Sequence, residues 1–232
     1  AGWANRAIAP FVDKIFLTHA SSLLSYPKKK SLVVGLPLRR ELFDPNLKKK
    51  FTPKLLYISC GKQGSHVINQ ALFPLIPRLI KRFTVVHQTG ANTKTKDIDK
   101  ARRLKESLGD LAGRYHYAPY FFAPEAATYL QSASVVISRA GAHLTYELSL
   151  LQKRTVFIPI AWVSHNEQLL NAREAAKVAP AVILTESELT PESLLAAIEK
   201  VEQLPPKTKV KADLFAASDK MLTVIHGYLQ SE

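Results

Sequence analysis

Six short apolar runs, each followed by a helical pattern, constrain this chain more than any other feature. They are Leu55-Leu56-Tyr57-Ile58-Ser59, Thr84-Val85-Val86-His87-Gln88, Tyr115-His116-Tyr117-Ala118, Val135-Val136-Ile137, Thr155-Val156-Phe157-Ile158-Pro159 and Ala181-Val182-Ile183-Leu184. Runs of this length, rich in β-branched and aromatic residues, predict buried strands. Helical patterns fill the gaps. One carries Val67, Ile68, Leu72 and Leu75, with Pro74 and Pro77 expected to kink or restart it. Others cover Lys96 to Leu108, Glu125 to Gln131, the stretch opened by Arg139, and Glu167 to Lys177. The last begins at Thr190-Pro191-Glu192, with Thr190 as N-cap and Pro191 at the first helical position. Strands and helices alternating at this spacing predict a parallel sheet covered on both faces. The fold class is α/β: a doubly wound, Rossmann-like domain over residues 43–206.

Two segments fall outside that domain. The head, residues 1–42, offers a helix up to Val12 and strands near Lys14–Thr18 and Ser31–Gly35. Two strands and a helix cannot enclose a core. The head is therefore expected to be the end of a second α/β domain whose remainder lies upstream or in a partner subunit. The tail, residues 207–232, places Leu214, Met221, Leu222, Ile225 and Leu229 on one side of a helix. Such a stripe is expected to dock on the body or on another domain.

Composition narrows the partners. The net charge of +13 favours an anionic one: nucleic acid, anionic lipid or a phosphorylated small molecule. Lys28-Lys29-Lys30 and Lys48-Lys49-Lys50 sit in expected loops, where solvated charge is the simpler reading. Aromatic residues are not interleaved with Arg and Lys as on an RNA-binding sheet, and zinc-ligand spacing is absent. Nucleic acid is thus not the expected partner. The single cysteine, Cys60, fits a reducing cytosol and reads as a small loop residue rather than a nucleophile. The opening AGWANRAIAPF lacks the pattern of a signal peptide, and no apolar run reaches the roughly 20 residues of a membrane span.

Ligands of open parallel sheets bind beyond the carboxyl ends of the strands, and three informative segments fall there. In Gly61-Lys62-Gln63-Gly64-Ser65 the glycines let backbone amides approach an anion, and Lys62 adds a full charge. The segment matches neither GxGxxG nor GxxxxGK[ST], and a plain structural turn explains it as well. Arg139-Ala140-Gly141-Ala142 puts small residues at a helix start, whose free N–H groups suit a diphosphate. His143 and Leu144 continue that helix. Glu147, farther along it, is a good acceptor for two vicinal ribose hydroxyls; a surface glutamate on an amphipathic helix is the alternative. His165-Asn166-Glu167-Gln168…Asn171 offers side chains of the kind that read hexose hydroxyls. His165 and Glu167 lack the second ligand that a metal site needs, so no metal or other cofactor is expected.

Taken together, Gly61–Ser65 with Asn69-Gln70, Arg139–Ala142 with Glu147, and His165–Gln168 with Asn171-Ala172 resemble the donor half of the MurG family of peptidoglycan glycosyltransferases. The resemblance runs over nearly the whole chain. It implies a GT-B architecture, two Rossmann-like domains with the substrate cleft between them, of which only the end of the first is present. It implies transfer of N-acetylglucosamine from UDP-N-acetylglucosamine to undecaprenyl-diphosphate-linked muramoyl peptide by a cytoplasmic enzyme peripheral to the inner face of the cell membrane. Arg39 would sit at the domain junction near the donor. Gly61, Gln63 and Gly64 would lie by the diphosphate, and Phe122 and Ala123 by the uracil. Ala140, Gly141, Ala142, His143 and Leu144 would form the diphosphate-facing helix start. Glu147 would hold the ribose, and Gln168 and Asn171 the sugar. The alternatives are a donor subunit for another polyprenyl- or lipid-linked acceptor, or a non-catalytic basic α/β module that binds nucleic acid through its lysine loops. Two positions depart from the family. Cys60-Gly61-Lys62 stands where it has Gly-Gly-Ser, and Glu167 stands where it has a glutamine. The family's proposed catalytic base belongs to the region not present, so no catalytic residue is expected here.

Overall fold

A computed structural model of the chain describes residues 3–18, 20–160, 166–207 and 216–230. The chain divides into two compact units, Ala1–Arg39 with Lys211–Glu232, and Arg40–Val210.

In the first unit, α1 (Trp3–Ile8) leads through a 3-10 turn to β1 (Ile15–Leu17), which pairs in parallel with β2 (Ser31–Val33). Both strands fall within the segments expected from sequence. After β2 the chain turns at Gly35, whose φ of +94° suits glycine. Ala217 is its neighbour there: a Cβ on Gly35 would lie 3.4 Å from the Cβ of Ala217.

The second unit is a six-stranded parallel sheet. Its strands are β3 (Leu55–Ser59), β4 (Thr84–Gln88), β5 (Tyr115–Ala118), β6 (Val135–Ser138), β7 (Arg154–Phe157) and β8 (Ala181–Ile183), in the spatial order β5-β4-β3-β6-β7-β8. Between them run α2 (His66–Leu72), α3 (Ile76–Leu79), α4 (Asp97–Glu106), α5 (Ala123–Ser132), α6 (Ala142–Leu150) and α7 (Glu167–Val178), and α8 (Pro191–Gln203) follows β8. Pro74 and Pro77 do interrupt the first helical region, with a 3-10 turn at Phe73–Leu75 between α2 and α3. Thr190 caps α8, accepting from the amide of Ser193 at 3.1 Å.

Side-chain alternation along β3 explains why both faces are covered. Leu56 and Ile58 join a cluster with Ile68, Leu72, Ile76 and Leu79 of α2 and α3 and Leu194 and Ile198 of α8. Leu55 and Tyr57 join the opposite cluster with Leu130 of α5, Leu148 of α6 and Ala172 and Ala175 of α7. Every residue of β3, β4 and β6 is buried. This is the doubly wound sheet expected from the sequence.

The final helix, α9 (Ala216–Leu229), is grouped with the first unit. Ala217 is buried, but Leu222, Ile225 and Leu229 of the expected stripe are exposed. Leu214 lies outside the described residues.

Candidate functional site

The first strand of the sheet, β3, lies at its centre, with β4 on one side and β6 on the other. The chain winds outward one way through β4 and β5, then returns and winds the other way through β6, β7 and β8. The loops leaving β3 and β6 therefore diverge to opposite faces and open a crevice at the carboxyl ends of those strands. Two of the three segments singled out in the sequence are these loops.

The loop after β3 is fixed by its neighbour. Gly61 and Gly64 have φ of +81° and +72°. The amide of Gly64 donates to the Gly61 carbonyl at 3.1 Å, and that of Ala91 to the Lys62 carbonyl at 3.2 Å. Gly64 and Gly90 lie back to back. A Cβ on Gly64 would stand 2.1 Å from the carbonyl oxygen of Thr89, and one on Gly90 2.2 Å from that of Gln63. Gln88 braces the same loop: its Nε2 donates to the Gly61 carbonyl at 2.8 Å and its Oε1 accepts from the Phe121 amide at 3.3 Å. Gly61, Lys62 and Gln63 stay exposed at the loop's tip.

Beneath the loop runs a polar network, buried at Asn69, His87 and Asp97 and reaching the surface at His66. Asn69 donates from Nδ2 to the Thr89 carbonyl at 2.8 Å and to Asp97 at 2.9 Å. His66 Nδ1 lies 2.9 Å from Asp97, while Asn69 Oδ1 meets His87 Nε2 at 2.9 Å. His87 Nδ1 lies 3.0 Å from the Tyr115 hydroxyl. Because Asn69 Oδ1 is an acceptor, His87 carries its proton on Nε2 and accepts from Tyr115 on Nδ1. Burial pushes His87 down to about 3, against a smaller opposing pull from Asp97. The folded value lies below the unfolded one of 6.5, so the stability tied to neutral His87 is present above pH 6.5 and is lost as pH falls toward 3. We expect unfolding free energy to drop over that window, and the H87Q variant to show a shallower drop. Equal slopes for both proteins in urea titrations at each pH would remove His87 as the cause.

Arg139 ties four loops together. Its Nη2 donates to Ser65 Oγ at 2.6 Å and pairs with Glu186 Oε1 at 2.5 Å, and its Nη1 donates to the Ile158 carbonyl at 3.0 Å. Arg139 and Glu186 side chains are only 13% and 17% exposed, so the guanidinium is enclosed with its counter-charge. Ser65 is also the N-cap of α2, accepting from the Ile68 amide. Arg139 thus sets the loop after β3 against the loop after β6.

Gly141 is the N-cap residue of α6, and no side chain caps that helix. A Cβ on Gly141 would meet nothing within 4 Å. Ala142 and His143, in the first turn, are exposed. An uncapped helix start at the crevice leaves free N–H groups and the positive end of the helix dipole facing outward. The preceding residue is held by α7. The Ala140 amide donates to Gln168 Oε1 at 3.3 Å, and Asn171 Nδ2 donates to the Ala140 carbonyl at 3.1 Å. Gln168 Oε1 also accepts from the Ile160 amide at 3.1 Å. Gln168 and Asn171 are thereby brought to the start of α6. Glu167 is exposed beside them; Ser164 and His165 lie outside the described residues.

Glu147 is 1% exposed, which excludes the surface-glutamate alternative. Phe122 is 74% exposed and meets Tyr120 edge-on at 5.2 Å, while Phe121 between them is buried. Ala123 begins α5 just after Phe122. Arg39 belongs to the other unit and is exposed there. The Cys60 thiol is buried and pushed up to about 12, so it stays protonated. Among the described residues no group of His, Cys, Asp and Glu is placed to hold a metal ion.

Gln88, Gly90, Tyr120 and the His66–Asp97 pair were not singled out from sequence. Gly90 ends a strand with an unremarkable Thr-Gly, and its role shows only once Gly64 is set against it. Gln88 and Asn69 did carry a signal, since each is a polar residue at a position whose spacing demands burial.

Comparison with known proteins places these features in a family setting. Residues 55–223 match the model of the glycosyltransferase family 28 C-terminal domain. A UDP-N-acetylglucosamine–N-acetylmuramyl-(pentapeptide) pyrophosphoryl-undecaprenol N-acetylglucosamine transferase of Clostridium perfringens is 31% identical over 87% of the chain. The chain spans 56% of that relative's length. Acinetobacter baumannii MurG superposes with a TM-score of 0.60 at 19% identity, over 98% of this chain and 64% of that one. A Neisseria meningitidis UDP-GlcNAc 2-epimerase, solved with UDP-GlcNAc, superposes with a TM-score of 0.55 at 15% identity, over 95% of this chain and 63% of that one. These two likenesses concern the fold.

Proposed function

This chain belongs to the glycosyltransferase family 28 C-terminal domain family, and from that premise we propose that its β3/β6 crevice binds UDP-N-acetylglucosamine. The reaction served is transfer of N-acetylglucosamine to undecaprenyl-diphosphate-linked muramoyl peptide, at the cytoplasmic face of an anionic membrane. Residues 43–206 are the donor domain, residues 1–42 the end of an acceptor domain and its linker, and residues 207–232 a terminal helix.

One observation carries this reading. The uncapped start of α6 and the glycine loop after β3 meet at the switch point of a doubly wound sheet. The diphosphate lies against the amides of Ala142, His143 and Leu144 and the backbone of Gly61–Gly64, with Lys62 adding charge. Arg139 acts by holding the two loops in register. Phe122 and Ala123 meet the uracil. Glu147 takes the ribose hydroxyls, and its enclosure strengthens hydrogen bonds to whatever reaches it. Glu167, Gln168 and Asn171 read the sugar. As the sugar–phosphate bond breaks, negative charge grows on the departing diphosphate, and preorganised N–H groups and the helix dipole stabilise it. No residue of this chain is assigned as the base. The net charge of +13 supports attraction to an anionic membrane face.

E147Q tests the reading. Losing a charged acceptor for ribose hydroxyls is expected to weaken UDP-N-acetylglucosamine binding roughly 10- to 100-fold. The melting temperature is recorded alongside, because the site is buried. A well-folded E147Q protein that binds the donor as wild type does would remove Glu147 from the ribose.

A further inference from the structure

The far end of the same sheet carries a second feature that the donor reading leaves unused. A cavity of about 400 Å³ is lined by Lys48, Lys49, Lys50, Phe51, Lys54, Leu55 and Ser132. Leu55 opens β3, and Ser132 closes α5 just before β6. The cavity therefore lies at the amino ends of the strands, and the glycine loop at their carboxyl ends. A five-residue strand puts roughly 16 Å between the two.

The lysine run is not a free loop. The Lys49 amide donates to Ser132 Oγ at 2.8 Å, which fixes the middle of the run against the end of α5. Behind it, Lys153 donates to the Gln131 and Ala133 carbonyls. Burial, and then the charge of Lys48, push Lys153 down to about 8. Lys54 is paired with Glu202, which also takes Arg82 at 2.6 Å. Among the described residues no carboxylate lies within ion-pair distance of Lys48, Lys49, Lys50 or Lys153. Lys48, Lys49 and Lys50 are exposed consecutive cations without a carboxylate partner among the described residues, and an entering anion lowers their mutual repulsion. The pocket also has apolar lining, in the half-buried ring of Phe51. A lining that combines lysines with an aromatic ring matches a phosphate group carried on an apolar body.

We propose that the Lys48–Phe51 pocket is a phosphate-binding site, separate from the donor crevice, whose ligand is the headgroup phosphate of an anionic lipid. A phosphate anion free in solution shares the chemistry, and the test separates the two sources.

The whole chain is co-sedimented at low salt with phosphatidylcholine vesicles containing phosphatidylglycerol. Replacement of all three residues, K48A/K49A/K50A, is expected to lower vesicle affinity roughly 100-fold, about fivefold per lysine. The control K28A/K29A/K30A removes equal charge elsewhere and should cost under tenfold. F51A should weaken vesicle binding and leave binding of inorganic phosphate unchanged. Saturable inorganic phosphate binding that needs Lys48–Lys50, without vesicle binding, would keep the site and assign it to soluble phosphate. Equal losses from the two lysine triples, or no loss from the first, would overturn the proposal. Donor titration of the first triple should match wild type, so failure here and failure of the donor reading are told apart.

Discussion

Gly64→Ala is expected to destabilise the protein by about 2–5 kcal/mol and to abolish donor binding with it. Two effects add. At φ +72° a side chain strains the backbone by about 1–2 kcal/mol. The new Cβ would also stand 2.1 Å from the Thr89 carbonyl oxygen, and relieving that contact means moving backbone. That backbone cannot retreat freely. Asn69 holds the Thr89 carbonyl, and the amides of Thr89 and Gly90 donate to Ala118 and Pro119. Overpacking against fixed atoms adds about 1–3 kcal/mol. Gly61→Ala is the matched control. Its φ is +81°, but a Cβ there meets nothing within 4 Å, so only strain of about 1–2 kcal/mol is expected. Urea unfolding of both variants decides the matter. Equal costs would mean that the two glycine loops do not touch.

Arg139→Ala carries the other large effect, a loss of about 3–5 kcal/mol. The cost is not the attraction removed but the groups left behind. Glu186, at 17% exposure, loses its counter-charge, while Ser65 and the Ile158 carbonyl lose a donor. R139K keeps the charge without the planar fork that serves three acceptors, so it is expected to recover only part of the loss. In the double variant R139A/E186A no carboxylate is stranded, and most of the penalty should disappear. A single-variant cost under 1 kcal/mol would show that the pair is solvated and does not fix the loops.

Most of the sheet is legible in the sequence because burial on both faces leaves an unambiguous trace. Leu55-Leu56-Tyr57-Ile58 and Val135-Val136-Ile137 have nowhere to go but the interior. The break between α2 and α3 is legible for a different reason, since Pro74 and Pro77 remove backbone donors. The site is legible only in part. Gly61, Gly64 and Gly141 advertise a need for small residues, and the fold supplies the reason at Gly64. Glu147 reads equally as exposed or enclosed, because one residue on a helix does not reveal what packs above it. Arg139 reads only as the first residue of a helix start suited to a diphosphate. Its partner Glu186 lies 47 residues away, and pairings across that separation leave no local pattern. Gln168 and Asn171 read as sugar-binding side chains, and the fold adds a second duty, bracing Ala140 from α7. In each case the side chain's type was visible, while the partner that fixes its role comes from another loop.

The most direct test is a calorimetric titration of this chain with UDP-N-acetylglucosamine, run beside UDP-glucose and ADP-glucose. A diphosphate on the α6 start, a uracil by Phe122 and a sugar on Gln168 and Asn171 predict saturable binding at one site. UDP-N-acetylglucosamine should bind tightest and ADP-glucose weakest. Equal affinity for all three, or no binding by a chain that melts cooperatively, would contradict the donor site.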